Sequence, residues 1–154
     1  FDLRKALKYD EANGIDKYDF TSNLSESLRL VSSNNVTLKG TVKDDLGYAE
    51  GKVIVYAYNE GTFNQHTEMM TNSEVQFKGA ISSTEVKSDG TFQIHFLEKG
   101  DYEIHLVNYE EDGNGKLESH SLLNTSLTSM ADLSVLNLES NTEVNLLVIG
   151  ALEI

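Results

Sequence analysis

The run Ser88-Asp89-Gly90-Thr91-Phe92, with Lys99-Gly100-Asp101 close behind it, leaves this chain little choice but extended structure. An Asp-Gly pair turns the backbone sharply because glycine takes angles that a side chain resists. After the first turn Phe92, Ile94 and Phe96 alternate with polar residues; after the second, Tyr102, Ile104 and Leu106 do the same. Alternation with a period of two places one apolar set on one face of a strand. Val36, Leu38, Gly40 and Val42 repeat the pattern, and Asp44-Asp45-Leu46-Gly47 then turns the chain. From Lys52 to Tyr58 both faces are apolar, with Val53, Val55 and Ala57 set against Ile54, Tyr56 and Tyr58. That is the composition of a central strand.

Short strands at regular spacing predict an all-β sandwich over 35–154. Asn59 to Asn72 reads as a long polar loop, and Val75 to Val86 as one or two strands. Leu122 to Ala131 fits either a short helix or irregular structure. Val135, Leu136 and Leu138, the turn Ser140-Asn141 and Val144 to Ile149 predict a closing hairpin. Residues 1–34 differ from the rest: Asp2 to Tyr9 is charged, Asp10 to Gly14 is turn-rich, and Leu28, Leu30 and Val31 form a brief apolar strand. This extension is too small to bury a core alone. It reads as a remnant or the last strands of an upstream domain.

Charge narrows the function classes. With 12 basic and 25 acidic residues the net charge is −13, and no positive cluster exists to neutralise phosphates, so nucleic acid is excluded as a partner. The most apolar run, Leu146 to Leu152, has the length of a strand and not of a membrane span. Cysteine is absent, which removes disulfides and zinc-thiolate sites. Proline is absent too, so Gly, Asn, Asp and Ser do all the turning.

Gly40-Thr41-Val42, Gly51 to Tyr56, Asp89-Gly90-Thr91-Phe92, Leu97 and Gly100-Asp101-Tyr102 together resemble carboxypeptidase-regulatory-like and Cna-B-type domains. That resemblance implies a transthyretin-like (prealbumin, Ig-like) sandwich. Phe1-Asp2-Leu3-Arg4-Lys5-Ala6-Leu7 and Leu28-Arg29-Leu30-Val31 resemble a family of bacterial secreted lipoproteins catalogued as domain of unknown function 4382. In that family a comparable phrase closes a first domain and a sandwich follows. The family has a proline before the second phrase; Ser25-Glu26-Ser27 stands there instead. The resemblance implies a C-terminal part of an extracellular or outer-surface protein, lipid-anchored through a missing upstream segment. Its partners would be other surface proteins or its own upstream domain.

The sharpest chemical signal is Glu110-Glu111-Asp112-Gly113-Asn114-Gly115-Lys116-Leu117-Glu118. Calcium takes six to eight oxygens from a loop bent by glycine. In an EF-type register Glu110, Asp112 and Asn114 are the first three ligands, Gly115 makes the turn, Lys116 offers its carbonyl and Glu118 follows. Against it, the first position is Glu instead of Asp, and Ser121 stands where a bidentate Glu is needed. The competing reading is a solvated acidic loop. His95 and His105 would share a metal only if their strands formed a direct hairpin; in the family fold the corresponding strands lie in different sheets, and surface histidines on solvated faces are the reading expected of both. His66 and His120 have no visible partner.

No Gly-x-Ser-x-Gly elbow occurs, and the acidic pairs Asp44-Asp45 and Glu110-Glu111 are adjacent, which in a strand points them apart. The chain reads as non-catalytic. Cna-B-type domains carry Lys-to-Asn isopeptide crosslinks, and by position Lys39 or Lys43 with Asn145 would supply one; plain surface lysines are the alternative. Tyr48, Tyr56, Tyr58 and Phe63 could form a sugar platform or simply belong to the core. The function expected is adhesion, assembly or spacing at a bacterial surface. The alternatives are a filament subunit joined by strand addition and a carbohydrate-binding module.

Overall fold

In the computed structural model the described residues are 7–10, 17–20, 35–70, 75–127 and 136–154. The phrase at 28–31 and Val135 lie outside them. Two compact units emerge: Phe1–Val31 with Asn64–Gly79, and Ser32–Phe63 with Ala80–Ile154. Segment 64–79 thus groups with the first unit, whereas sequence alone placed it inside the sandwich.

In the first unit, β1 (Leu7–Asp10) pairs antiparallel with β2 (Lys17–Phe20). The long polar loop contains a one-turn helix, α1 (Gln65–Glu68). Asn64 caps it, its side-chain oxygen accepting the His66 and Thr67 N–H groups that a helix start leaves orphaned. Residues after it turn back, so that Phe77 N–H donates to Glu68 O and Gly79 N–H donates to the Glu68 carboxylate.

The second unit is a β-sandwich. Its strands are β3 (Val36–Lys43), β4 (Lys52–Asn59), β5 (Ser82–Glu85), β6 (Thr91–Leu97), β7 (Gly100–Glu111), β8 (Leu117–Leu127), β9 (Leu136–Leu138) and β10 (Thr142–Glu153). The hydrogen-bonded order is β5-β4-β7-β8-β10-β3-β6, with β9 beside the start of β7. Val55 and Ala57 from one end of that path share a single buried cluster with Phe92 and Ile94 from the other. The sheet therefore folds over on itself around one core.

Two junctions follow directly from the sequence. Asp89 accepts from Thr91 N–H and from its hydroxyl, and Gly90 sits at φ +85°, closing the turn into β6. The Thr91 hydroxyl bond holds the Asp89 carboxyl below its usual range. Asp44 does the same work after β3, its two oxygens accepting from Tyr48 and Ala49 N–H.

Two sequence expectations are corrected. Leu117–Leu127 is one continuous strand, so 122–127 is neither helix nor irregular; Leu122 and Leu123 are both buried because the strand is paired on both sides, to β7 and to β10. No closing hairpin forms, because Leu136–Leu138 pairs with Gly100–Tyr102 while β10 pairs with β3 and β8. Between Val75 and Val86, where one or two strands were expected, there is one, Ser82–Glu85.

The third correction concerns Phe96. Val36 pairs with Leu97 and Leu38 with Ile94, so two residues of β6 oppose one of β3. This bulge reverses the alternation, as an inserted residue must. Leu97 takes the inward position and Phe96 is thrown outward, half exposed, at φ +61°. That left-handed conformation costs a side-chain-bearing residue about 1–2 kcal/mol. Phe96→Gly is therefore expected to change stability by less than about 1 kcal/mol, the relief offsetting the lost contact. Phe92→Ala, two alternations earlier and fully buried, is expected to cost about 3–5 kcal/mol. Chemical denaturation of both variants checks this; equal costs would mean the bulge is not there.

Candidate functional site

The acidic loop is the tip of the β7–β8 hairpin. Glu110 and Glu118 are directly opposed across the strands, an unfavourable like-charge pair. Their neighbours relieve it: Asn108 Nδ2 donates to Glu110 Oε1 at 3.2 Å, His120 Nδ1 lies 3.6 Å from Glu110 Oε2, and Lys116 Nζ lies 4.0 Å from Glu118. Asp112 Oδ1 accepts from Asn114 and Lys116 N–H at 2.8 and 3.0 Å, and Lys116 O accepts from Asp112 N–H at 2.8 Å. The Asp112 carboxylate and the Lys116 carbonyl thus serve the turn instead of converging on a centre. Among the described residues no three His, Cys, Asp or Glu side chains are grouped to hold a metal ion. Melting curves recorded with calcium and with a chelator are expected to coincide. A higher Tm in calcium would place an ion at Glu110, Asp112, Asn114, Lys116 and Glu118 after all.

The histidines lie apart. β6 pairs with β3 whereas β7 pairs with β4, β8 and β9, so His95 and His105 are not hairpin partners. His95 Nδ1 lies 3.2 Å from Thr37 Oγ1 on an exposed edge. His66 is exposed on α1, and His120 faces Glu110. His105 departs from the expectation of a solvated surface histidine. Its ring stacks on Phe63, 3.8 Å between centroids, and meets Tyr58 edge-on.

That placement reveals a second buried face. Val55, Leu106 and Leu123 form a cross-strand row toward the core; on the opposite side of the same strands partly buried Ile54 lines up with buried Val107 and Leu122, and the row ends at exposed Leu152. On that opposite side Tyr56, Tyr58 and Val107 are no more than 1% exposed. Tyr56 and Tyr58 are therefore structural. They offer no platform to a sugar, and the Tyr56 hydroxyl is occupied by that of Tyr109.

A cleft of about 400 Å³ opens at the mouth of the sandwich, floored by Val42, Val53, Leu123 and Val148 and rimmed by Lys52 and Lys87. Asp44 also borders it, but its carboxylate is committed to the turn; Glu85 lies 4.0 Å from Lys52. Ser88 lines it as well, and among the described residues no hydrogen bond draws a base to converge on that hydroxyl. Acid–base and nucleophilic catalysis both need such convergence.

Asn145 and Lys39 do not approach a crosslinking geometry. Thr41 and Asn145 are register partners on β3 and β10, and the Thr41 hydroxyl donates to Asn145 Oδ1 at 2.7 Å. Lys39 is opposed by Glu143 and Lys43 by Leu147, all on strands whose core-facing positions are taken by Leu38, Val144 and Leu146. Among the described residues no acid is buried where it could activate either lysine.

No family model and no curated protein matches the chain. Among solved structures it is similar to BcpA, the major pilin subunit of Bacillus cereus, at 12% identity and a TM-score of 0.40, covering 75% of this chain and 30% of that one. A variant of the same pilin gives 16% identity and a TM-score of 0.38 over 75% and 29%. The pilus-presented adhesin Cpa gives 12% and 0.33 over 79% and 28%. The chain thus spans under a third of each of these proteins. Among the described residues no helix is long and apolar enough to cross a membrane.

The site signals that sequence reasoning missed are the His105 stack and the second buried face. The apolar residues on both sides of β4 carried the latter, and His105 shares the register of Tyr56.

Proposed function

We propose that the chain is a non-catalytic β-sandwich module of a bacterial surface protein, and that its role is to space or present what is joined to it. One observation carries this reading. β3, the first strand of the sandwich, and β10, its last, are parallel neighbours in register from Leu38↔Thr142 to Lys43↔Leu147. A chain arriving at Val36 and leaving at Glu153 therefore enters and exits at opposite ends, separated by roughly 40 Å of strand at about 3.3 Å per residue. Tension along the protein pulls these two strands past each other, so the ladder bonds resist together instead of opening singly. The turns and the acid-rich surface also suit a module in contact with salt.

The resemblance at residues 1–7 and 28–31 supports placing the module in a secreted, lipid-anchored protein. Strand addition is the weaker reading. β5 is only four residues long and β6 carries a bulge, features that oppose edge-to-edge pairing.

Pulling single molecules by their two termini tests the spacer. The larger unit is expected to unfold in one abrupt high-force event. Gradual extension at low force would remove the mechanical role.

A further inference from the structure

We infer that residues 59–63 form a proton-gated latch, held on β7 by His105 and Glu103, closed at neutral pH and released in acid. The segment leaves β4 at Asn59 and runs to Phe63, the last residue of this stretch of the larger unit. Three contacts tie it down. Glu60 N–H donates to Asp101 O at 3.1 Å, Gly61 N–H donates to Glu103 Oε2 at 2.7 Å, and the Phe63 ring lies on the His105 imidazole. The other Glu103 oxygen meets His105 Nε2 at 2.8 Å. One carboxylate thus holds the segment's backbone with one oxygen and orients the ring that holds its aromatic side chain with the other. Gly61, at φ +74°, lets the backbone curl down to make the bond.

The imidazole is the one group in this arrangement whose charge changes in mildly acidic conditions. Its ring is partly covered by Phe63 and Tyr58, with about a quarter of the side chain left exposed. The titratable groups facing it among the described residues are Glu103 on its own strand and the Tyr56 and Tyr58 phenols of β4. The segment itself brings only the Glu60 carboxylate.

Burial holds the His105 pKa below its ordinary value, against the opposing pull of Glu103. The unfolded or released ring therefore binds a proton more readily than the latched one. The latch's stabilisation is complete above the ordinary histidine pKa of about 6.5 and is lost as pH falls through the lower, latched value. Release bares the Tyr58 ring and the face of the Phe63 ring that lies on His105.

Nuclear magnetic resonance on the full chain tests this. Between pH about 7.5 and about 5, cross-relaxation between His105 and Phe63 should vanish with the imidazole titration. Over the same range, Gly61 amide exchange should rise about tenfold beyond its intrinsic pH dependence. His105→Phe keeps a stacking ring without the proton site, and its segment should stay closed to pH about 5. Glu103→Gln keeps an acceptor for Gly61 but removes the charge that favours the imidazolium, so the His105 midpoint should move lower. Persistence of the Phe63 contact in protonated wild type, or release in His105→Phe at the same pH, overturns the latch.

Discussion

Gly40→Ala is expected to destabilise the protein by about 3 kcal/mol, the upper end of what overpacking a core costs. In a chain of this size that lowers Tm by roughly 6–12 °C. Strand propensity alone predicts the opposite sign, since alanine loses less backbone entropy than glycine, a gain of about 0.4–1 kcal/mol. The clash decides the sign. A β-carbon on Gly40 would lie 2.4 Å from Phe92 Cζ and 2.9 Å from Val144 O. Phe92 is 1% exposed and enclosed by the core, and Val144 O belongs to the backbone of β10, so neither can retreat cheaply. Gly40 stands on the inward face of β3 in line with Leu38, where the Phe92 ring occupies the space a side chain would fill. Adding Phe92→Leu should recover part of the loss, so that the double variant is more stable than the sum of the two singles. Denaturant unfolding of the three variants reads both effects. A Gly40→Ala protein as stable as wild type would contradict the packing described.

The second large effect concerns neighbours on β7. Leu106→Ala is expected to cost about 2–5 kcal/mol, through lost burial and the cavity left between Val55 and Leu123. Val107→Ala is expected to cost about 2 kcal/mol as well, because two buried methyl groups are removed from the other side of the strand. A sandwich with one solvated outer face would put the second substitution within about 0.5 kcal/mol of neutral. Measuring both tells whether β7 is buried on two sides. Loss of stability in Leu106→Ala alone would mean that the second face is not packed.

How much of this the chain discloses unaided depends on whether pairing is local. The turns at Asp44 and Asp89 were readable because each aspartate bonds amides only a few residues on. The central place of β4 was readable because Val55 and Ala57 face one side and Tyr56 and Tyr58 the other. Phe96 was misplaced because a bulge depends on the partner strand, and nothing in the residues of β6 announces it. Leu122 to Leu127 lacked a period, since Leu122 and Leu123 serve opposite faces and the polar residues after them are held by pairing to distant β10. The hairpin expected near Ser140 failed for the same reason: β9 finds its partner some thirty-five residues back, at Gly100–Tyr102.

The candidate sites divide in the same way. Of the acidic stretch only 112–116 is loop, with Glu110 and Glu118 on paired strands, and Asp112 accepts from Asn114 and Lys116 N–H. His105 looked like a surface residue because it points away from the core. Only the return of Phe63 over it creates the enclosure.

The pairing of the first sandwich strand with the last is what the spacing role rests on, and the absence of native cysteine makes it directly measurable. Thr41 and Asn145 are register partners whose side chains already touch. The double variant T41C/N145C, oxidised while folded, is expected to form an intramolecular disulfide in nearly every molecule, seen as a gel-mobility shift that reductant reverses. A double variant that stays reduced, or links only between molecules, would contradict the parallel pairing and the account built upon it.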